Sequence, residues 1–230
     1  MDFILMLTRD DRTIEVGAAA LDEAAALGLR HIGFKDVGAS PATLRELTRR
    51  IRALGATSYM EVVSTTPEAA LHSAKVAEEI GVDRLLGGTD AEAILRVVGG
   101  TRIEYFPFPG IPEGHPTRLG GSPADIVAHC RAFLARGCRG VDLLAYRSTA
   151  ADPLDLVRAA RTALGQAGLL IVAGSVNSFD RIRALRAAGA DFFTIGSAVF
   201  DGSLSPTKGT LAARLRDVLA ASAGRATTAA

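Results

Sequence analysis

The sequence is short of cysteine, of net charge and of long apolar runs, and each shortage excludes something. Only Cys130 and Cys138 are present among 230 residues. They stand eight positions apart around one helix with no ligand-like partners nearby, so they read as reduced thiols rather than a bridge or a metal site. Lysine and arginine number 26 against 25 aspartates and glutamates, for a formal net charge of +1. No block of like charge occurs, which argues against nucleic acid or an anionic membrane as a partner. No apolar run reaches the roughly 18 residues that a membrane helix needs. The opening MDFILMLTRDD is apolar for only a few residues and lacks a basic start, so it reads as a first strand and not as a signal peptide. A cytoplasmic protein is the expectation. What the chain does have is apolar content of 48% against 22% charged residues, enough to bury a core.

The chain has a rhythm. Gly28, Gly55, Gly81, Gly100, Gly137, Gly168 and Gly189 each stand just before a short apolar run such as RHIGFK, TSYMEV or DFFTIG. All but Gly100 follow an amphipathic stretch rich in alanine, leucine and arginine. A glycine past a helix end supplies the left-handed C′ position, and the runs suit buried parallel strands. Seven such junctions plus the opening DFILML make eight strands. This predicts a single α/β domain over 1–222, a (β/α)8 TIM barrel, with a last helix around 206–221 and a loosely held tail over 223–230. A doubly wound open sheet is the structural rival.

Side chains alternate across a strand. In HIGFK, Ile32 and Phe34 should face the helices, leaving His31, Gly33 and Lys35 inward. In TSYMEV, Tyr59 and Glu61 face inward. In GVDLLAY, Asp142 does. The phase of DFILML is ambiguous. Lys35 and Glu61 therefore meet near one mouth of adjacent strands, with Asp142 across from them as a second acid/base group. A lysine there has two uses: a Schiff base with a carbonyl, or a charged partner for an enediolate beside a carboxylate base. With Glu61 as its neighbour and no inward cation evident, the charged role is expected. A purely structural ion pair is the bland alternative, although such burial rarely stabilises. Asp36 should point away from Lys35 and orient its loop.

The last two strands each end in Gly-Ser, at Gly174-Ser175 and Gly196-Ser197. The loops after strands 7 and 8 of a barrel often form a phosphate site. Glycine lets the backbone approach an anion with its N–H groups exposed, serine adds a hydroxyl, and a short helix starting near Ser197 would aim its N-terminus at the anion. A pair of tight strand-to-loop turns is the simpler alternative. Elsewhere, Arg9 after strand 1 is a candidate for a substrate carboxylate or second phosphate, and Asp10 or Asp11 for a cap on a helix starting near Thr13. The long stretch FPFPGIPEGHPTRLGGSPADI after strand 5 reads either as a lid carrying His115 and Arg118 or as a solvated surface loop. After strand 6, Tyr146, Arg147 and Ser148 are candidates to complete the substrate pocket, with rim packing as the simpler alternative. GGTD after strand 4, Gly87 to Asp90, reads equally as a point of close substrate approach or as a turn with Asp90 as N-cap. His31, His72, His115 and His129 show no ligand spacing, so no metal is expected.

The stretch VAGSVNSFDRIRALRAAGADFFTIGSAVF resembles the phosphate-gripping half of the ribulose-phosphate-binding barrel superfamily. The motif covers about the last third of the chain, and the rhythm covers all of it. The superfamily's usual pattern after strand 7 is nearer Gly-Gly-Ile, where this chain has Gly174-Ser175-Val176. Its decarboxylases and hexulose-phosphate synthases carry Asp-x-Lys-x-x-Asp. Here Gly33-Phe34-Lys35-Asp36-Val37-Gly38 lacks the first aspartate and misplaces the second, which speaks against that metal-dependent chemistry. Larger flavin barrels hold FMN phosphate with a similar double loop, but 230 residues leave little to enclose an isoalloxazine, so no cofactor is expected. The resemblance implies an enzyme of carbohydrate metabolism acting on a small phosphorylated substrate by proton abstraction beside a carbonyl, as an isomerase or epimerase. A Schiff-base aldolase or lyase using Lys35, and a non-catalytic phosphate-ligand-binding barrel, are the alternatives. The chain is open to forming a homo-oligomer.

Overall fold

The computed structural model describes residues 1–15, 18–64, 66–88, 90–114 and 116–225. Its wall is eight parallel strands: β1 (Asp2–Met6), β2 (His31–Lys35), β3 (Thr57–Val62), β4 (Arg84–Gly87), β5 (Glu104–Phe106), β6 (Gly140–Leu143), β7 (Leu169–Val172) and β8 (Phe192–Ile195). Between them run α1 (Ala18–Ala26), α2 (Pro41–Ala53), α3 (Pro67–Ile80), α4 (Ala91–Val98), α5 (Pro123–Ala135), α6 (Pro153–Leu164) and α7 (Phe179–Ala187). The chain then finishes through α8 (Ser197–Phe200) and α9 (Leu211–Ser222). None of the described helices is long and apolar enough to cross a membrane.

The helix starts are written locally. α2, α3, α5 and α6 each place a proline in the first turn behind a capping side chain, from Ser40, Thr66, Ser122 and Asp152 in turn. Proline loses nothing there, because first-turn N–H groups have no helical acceptor. The cap oxygen satisfies one of those that remain. Asp90 caps α4 by accepting from Ala93 N–H at 2.9 Å.

The strands follow the order β6-β7-β8-β1-β2-β3-β4-β5. Seven junctions are parallel ladders. The eighth, between β5 and β6, closes the barrel through Arg139 N–H to Tyr105 O and Asp142 N–H to Pro107 O, each at 3.0 Å. One strand advances three residues while the other advances two, the extra residue of a bulge.

The inward phase is the same on every strand. Ile4, Met6, Tyr59, Leu86, Phe106 and Ile171 fill the lumen as one apolar cluster, and this resolves β1 with Ile4 and Met6 inside. Gly33 is needed there because a Cβ would lie 2.7 Å from Met6 Sδ and 2.9 Å from Tyr59 Cβ. The bottom is sealed by polar groups. Arg84 donates to Tyr59 Oη at 2.6 Å and to Glu104 at 2.7 Å, and its guanidinium lies over the rings of Tyr59, Phe106 and Phe192. His31 sits here too, with Nδ1 2.9 Å from Tyr59 Oη. Burial lowers its imidazole below the usual range and raises the Tyr59 phenol to about 12. His31 thus faces the interior, but at the end away from the strands' C-termini.

Three expectations need correction. The glycine with positive φ before β7 is Gly165 (φ 57), and not Gly168, where a Cβ would crowd Leu164 and Leu134. The last helix starts at Leu211, because Thr210 rather than a residue near Pro206 caps it by accepting from Ala213 N–H. Among the described residues the first helix begins at Ala18 and not near Thr13: Arg12–Thr13 pairs antiparallel with Thr8–Arg9 in a short hairpin. The Thr13 hydroxyl explains this, because it donates to Lys35 O at 2.7 Å and accepts from Lys35 N–H at 2.8 Å, drawing the segment into extended pairing beside β2. Of the expected tail, 223–225 follows α9 and 226–230 lies outside the described residues.

Candidate active site

The C-terminal ends of the strands surround a cavity of about 290 Å³. Lys35, Glu61 and Arg147 line it together with Gly174, Ser175, Gly196 and Ser197. Strand geometry accounts for the meeting. Lys35 and Glu61 are register partners on β2 and β3, so two side chains of the same inward phase end at the same height.

The charged groups form a chain. Arg147 Nη2 lies 2.8 Å from Asp11 Oδ1, which lies 2.6 Å from Lys35 Nζ, which lies 3.6 Å from Glu61 Oε2. All four side chains are largely buried, with Lys35 and Glu61 only 6% and 5% exposed. Asp11 is the member that strand alternation did not bring out. It rides on the tip of the 8–13 hairpin, where Asp10 and Asp11 both take left-handed φ, 50° and 58°. Two such residues make the tight turn that right-twisted hairpins favour. A DD pair between alternating residues is a weak form of that signal, and along the sequence it resembles a helix cap as much as a turn. Burial alone would raise the Asp11 carboxyl. The Arg147 hydrogen bond and the Lys35 charge outweigh it and hold the group well below the carboxylate range.

Asp142 lies beneath this chain, fully buried, and neither carboxylate oxygen has a hydrogen-bond partner among the described residues. Burial pushes its carboxyl well up, and the charge of Glu61 pushes in the same direction. Lys35 and Arg147 oppose this without cancelling it. Both causes favour the protonated form of the acid.

The two Gly-Ser loops form the other wall. Gly174 has φ 76 and Ser175 φ 57. A left-handed residue with a Cβ costs roughly 1–2 kcal/mol, so the Ser175 side chain is kept at a cost. Arg181 on α7 fastens the loop by donating to Ser175 O and Asn177 Oδ1 while its guanidinium covers the Tyr146 ring. A Cβ at Gly196 would lie 2.9 Å from Met6 O, which explains its glycine. Among the described residues the N–H groups of Gly174, Ser175, Ser197 and Ala198 have no partner. The Ser197 hydroxyl accepts from Asp10 N–H at 3.1 Å and keeps its own proton to donate.

The remaining candidates divide. Arg9 is exposed and does not line the cavity. It alternates with Thr8 and points off the hairpin. His115 lies outside the described residues. Arg118 belongs to a hairpin of Ile111–Glu113 and Arg118–Gly120, and is exposed. That hairpin braces the site through its backbone, since Arg147 Nη1 donates to Thr117 O at 3.3 Å. Ser148 shapes the rim by donating to Ala151 O. Asp36 holds the loop after β3 and the α3 helix rather than its own loop, accepting from Val63 N–H, Ser64 Oγ and Ser73 Oγ. Cys130 and Cys138 are free and buried, and burial raises their thiols to about 12 and about 11. Among the described residues no group of three His, Cys, Asp or Glu side chains is placed to hold a metal.

Gly174 gives a direct test of this packing. Alanine there combines a left-handed φ with overlap of the Arg147 side chain. Gly174→Ala should therefore lower stability by roughly 1–3 kcal/mol in urea unfolding. An unchanged midpoint would show that Arg147 does not pack against this loop.

No family model and no curated protein matches this sequence. Solved structures do resemble the fold. Orotidine 5'-phosphate decarboxylase from Pyrococcus horikoshii OT3 aligns with a TM-score of 0.66 at 12% identity, over 96% of this chain and 99% of that one. A putative deoxyribose-phosphate aldolase from Coccidioides immitis aligns at 0.64 and 11% identity, over 86% and 81%. A structure described as native KDPGal aligns at 0.63 and 13% identity, over 96% and 91%. Identities this low speak to architecture alone: the chain is a (β/α)8 barrel, the fold that the resemblance to the ribulose-phosphate-binding superfamily implied.

Proposed function

We propose that the protein is an enzyme that moves a proton beside the carbonyl of a small phosphorylated metabolite, as an isomerase or epimerase. The observation that carries this reading is the pair Glu61 and Asp142. They are two inward carboxyls at one lysine, and one of them is buried without a hydrogen-bond partner among the described residues, which favours its protonated form. A carboxyl raised by burial suits the acid role, which leaves the base role to the carboxylate on the cavity wall. Glu61, which lines the cavity, takes the proton from carbon. Lys35 stabilises the enediolate oxygen as it gains charge, and Asp142 supplies a proton. The phosphate sits in the corner of Gly174, Ser175, Gly196 and Ser197, on N–H groups with no other partner. A cavity of about 290 Å³ suits a small substrate. A binding barrel without catalysis has no use for a buried unpaired carboxyl, which burdens the fold.

The rival is Schiff-base chemistry at Lys35. It needs a neutral amine, whereas Lys35 lies within 2.6 Å of one carboxylate and 3.6 Å of another. Phosphorylated ketoses and aldoses turned over in deuterated water with borohydride present separate the two. Deuterium should enter the substrate carbon and the protein mass should not change. A covalent adduct mapping to Lys35 would place the protein with the aldolase-type lyases instead.

A further inference from the structure

The Asp11 carboxylate occupies a place in the cavity where two cations converge. Its Oδ1 takes Lys35 Nζ at 2.6 Å and Arg147 Nη2 at 2.8 Å. The proposed phosphate corner, by contrast, is built from backbone N–H groups and hydroxyls. That division leaves the cation pair for a second anionic group. We propose that Asp11 is an exchangeable internal anion, and that the substrate carries, besides its phosphate, a carboxylate that displaces Asp11 from Lys35 and Arg147.

The proposal rests on the phosphate reading, because that reading is what frees the pair. Three observations support the exchange. The base of the hairpin is fixed, with Thr13 bonded to the Lys35 backbone and Thr13 N–H donating to Val37 O at 2.9 Å. Its tip is strained, with two non-glycine residues at φ 50° and 58°. Asp11 lies at the open side of the cavity and is 15% exposed, against 5% for Glu61. Rotation about its Cα–Cβ bond therefore takes the carboxylate toward solvent while the hairpin stays in place. Charge is conserved in the exchange. One carboxylate leaves two cations and another takes its place, so the site pays little desolvation beyond that already met in the empty protein. The same contact screens the pair from anions that lack the right second group, which makes Asp11 a specificity-determining residue.

Oxalate and inorganic phosphate are suitable probes, titrated calorimetrically into the wild-type protein and Asp11→Asn. Asparagine tolerates the left-handed turn, and so it removes the charge while sparing the hairpin. Oxalate should bind the variant about tenfold tighter or more, because the competing state has been removed. Phosphate should change by much less. An equal gain for both anions would overturn the proposal, since it would reflect a general loss of negative charge. Weaker oxalate binding would also overturn it, by making Asp11 a fixed part of the site. Phosphate that binds neither protein would sink the phosphate corner, while the oxalate ratio still decides the carboxylate subsite. Wild-type crystals grown with oxalate provide a check that needs no variant. Oxalate should bridge Lys35 and Arg147 with Asp11 turned out, and Asp11 unmoved beside bound oxalate would end the idea.

Discussion

Asp142→Asn should make the protein more stable while silencing it. The carboxyl is fully buried, lacks a partner and faces the charge of Glu61, so its proton affinity is raised on folding. The sign of the linkage follows. A carboxyl whose folded pKa exceeds its unfolded value of roughly 3.9 costs nothing below that pH. The cost grows as pH climbs from there toward the folded pKa and stays at its full value above it. Asparagine has no proton to lose, so the variant's advantage should be smallest in acid and should widen toward neutral pH. The amide stays buried without a partner as the acid did, so the gain is the linkage contribution alone and appears only as pH rises. For a chain of this size each kcal/mol moves Tm by roughly 2–4 °C. Turnover should fall by at least ~100-fold, the usual worth of a positioned acid. Thermal unfolding of both proteins at several pH values checks the first part. A variant that melts lower at neutral pH would mean that Asp142 is held by contacts in the native state, and the acid assignment would go with it.

The second large effect is at Glu61. Glu61→Gln should cut turnover by about 10²–10⁴-fold, the contribution of a base in the transition state, with phosphate affinity held near the wild-type value. The substitution is isosteric and the phosphate corner touches neither atom that changes. It also removes one of the two causes that raise Asp142. The stability curve of the variant should therefore lose part of its fall with rising pH, which a simple packing defect would not produce. Loss of turnover and phosphate binding together would indicate a collapsed cavity instead of a missing base.

Much of this site could be read from alternation. Lys35, Glu61 and Asp142 sit in strands whose outward residues are plainly apolar, so their inward phase follows from the pleat. The Gly-Ser pairs and Arg147 were legible as strand-end positions, given eight strands. Asp11 was not. Its role depends on a two-residue turn at positive φ made without glycine or asparagine, and the usual signal for that turn is the residue type itself. Arg9 failed for a related reason. On a two-residue hairpin strand, one step along the chain changes the face, and Thr8 took the inner one. The glycine rhythm located seven junctions but assigned Gly168 a backbone role that belongs to Gly165. Packing around Leu164 and Leu134, invisible along the chain, is what requires glycine at 168.

The bulged closure between β5 and β6 has a consequence for how the molecule comes apart. A cylinder with seven laddered joints and one joint of two hydrogen bonds is zipped rather than welded, and it parts first along the zip. One of those two bonds is the N–H of Asp142 itself. The residue least comfortable with ionisation is thus stitched into the thinnest line of the wall. As pH rises and the carboxyl is driven toward its charged form, the strain falls on β6 before it reaches the phosphate corner or the Lys35 strand. Unfolding favoured by ionisation of Asp142 is then expected to start along this one line, on the face opposite the hairpin-bearing β1.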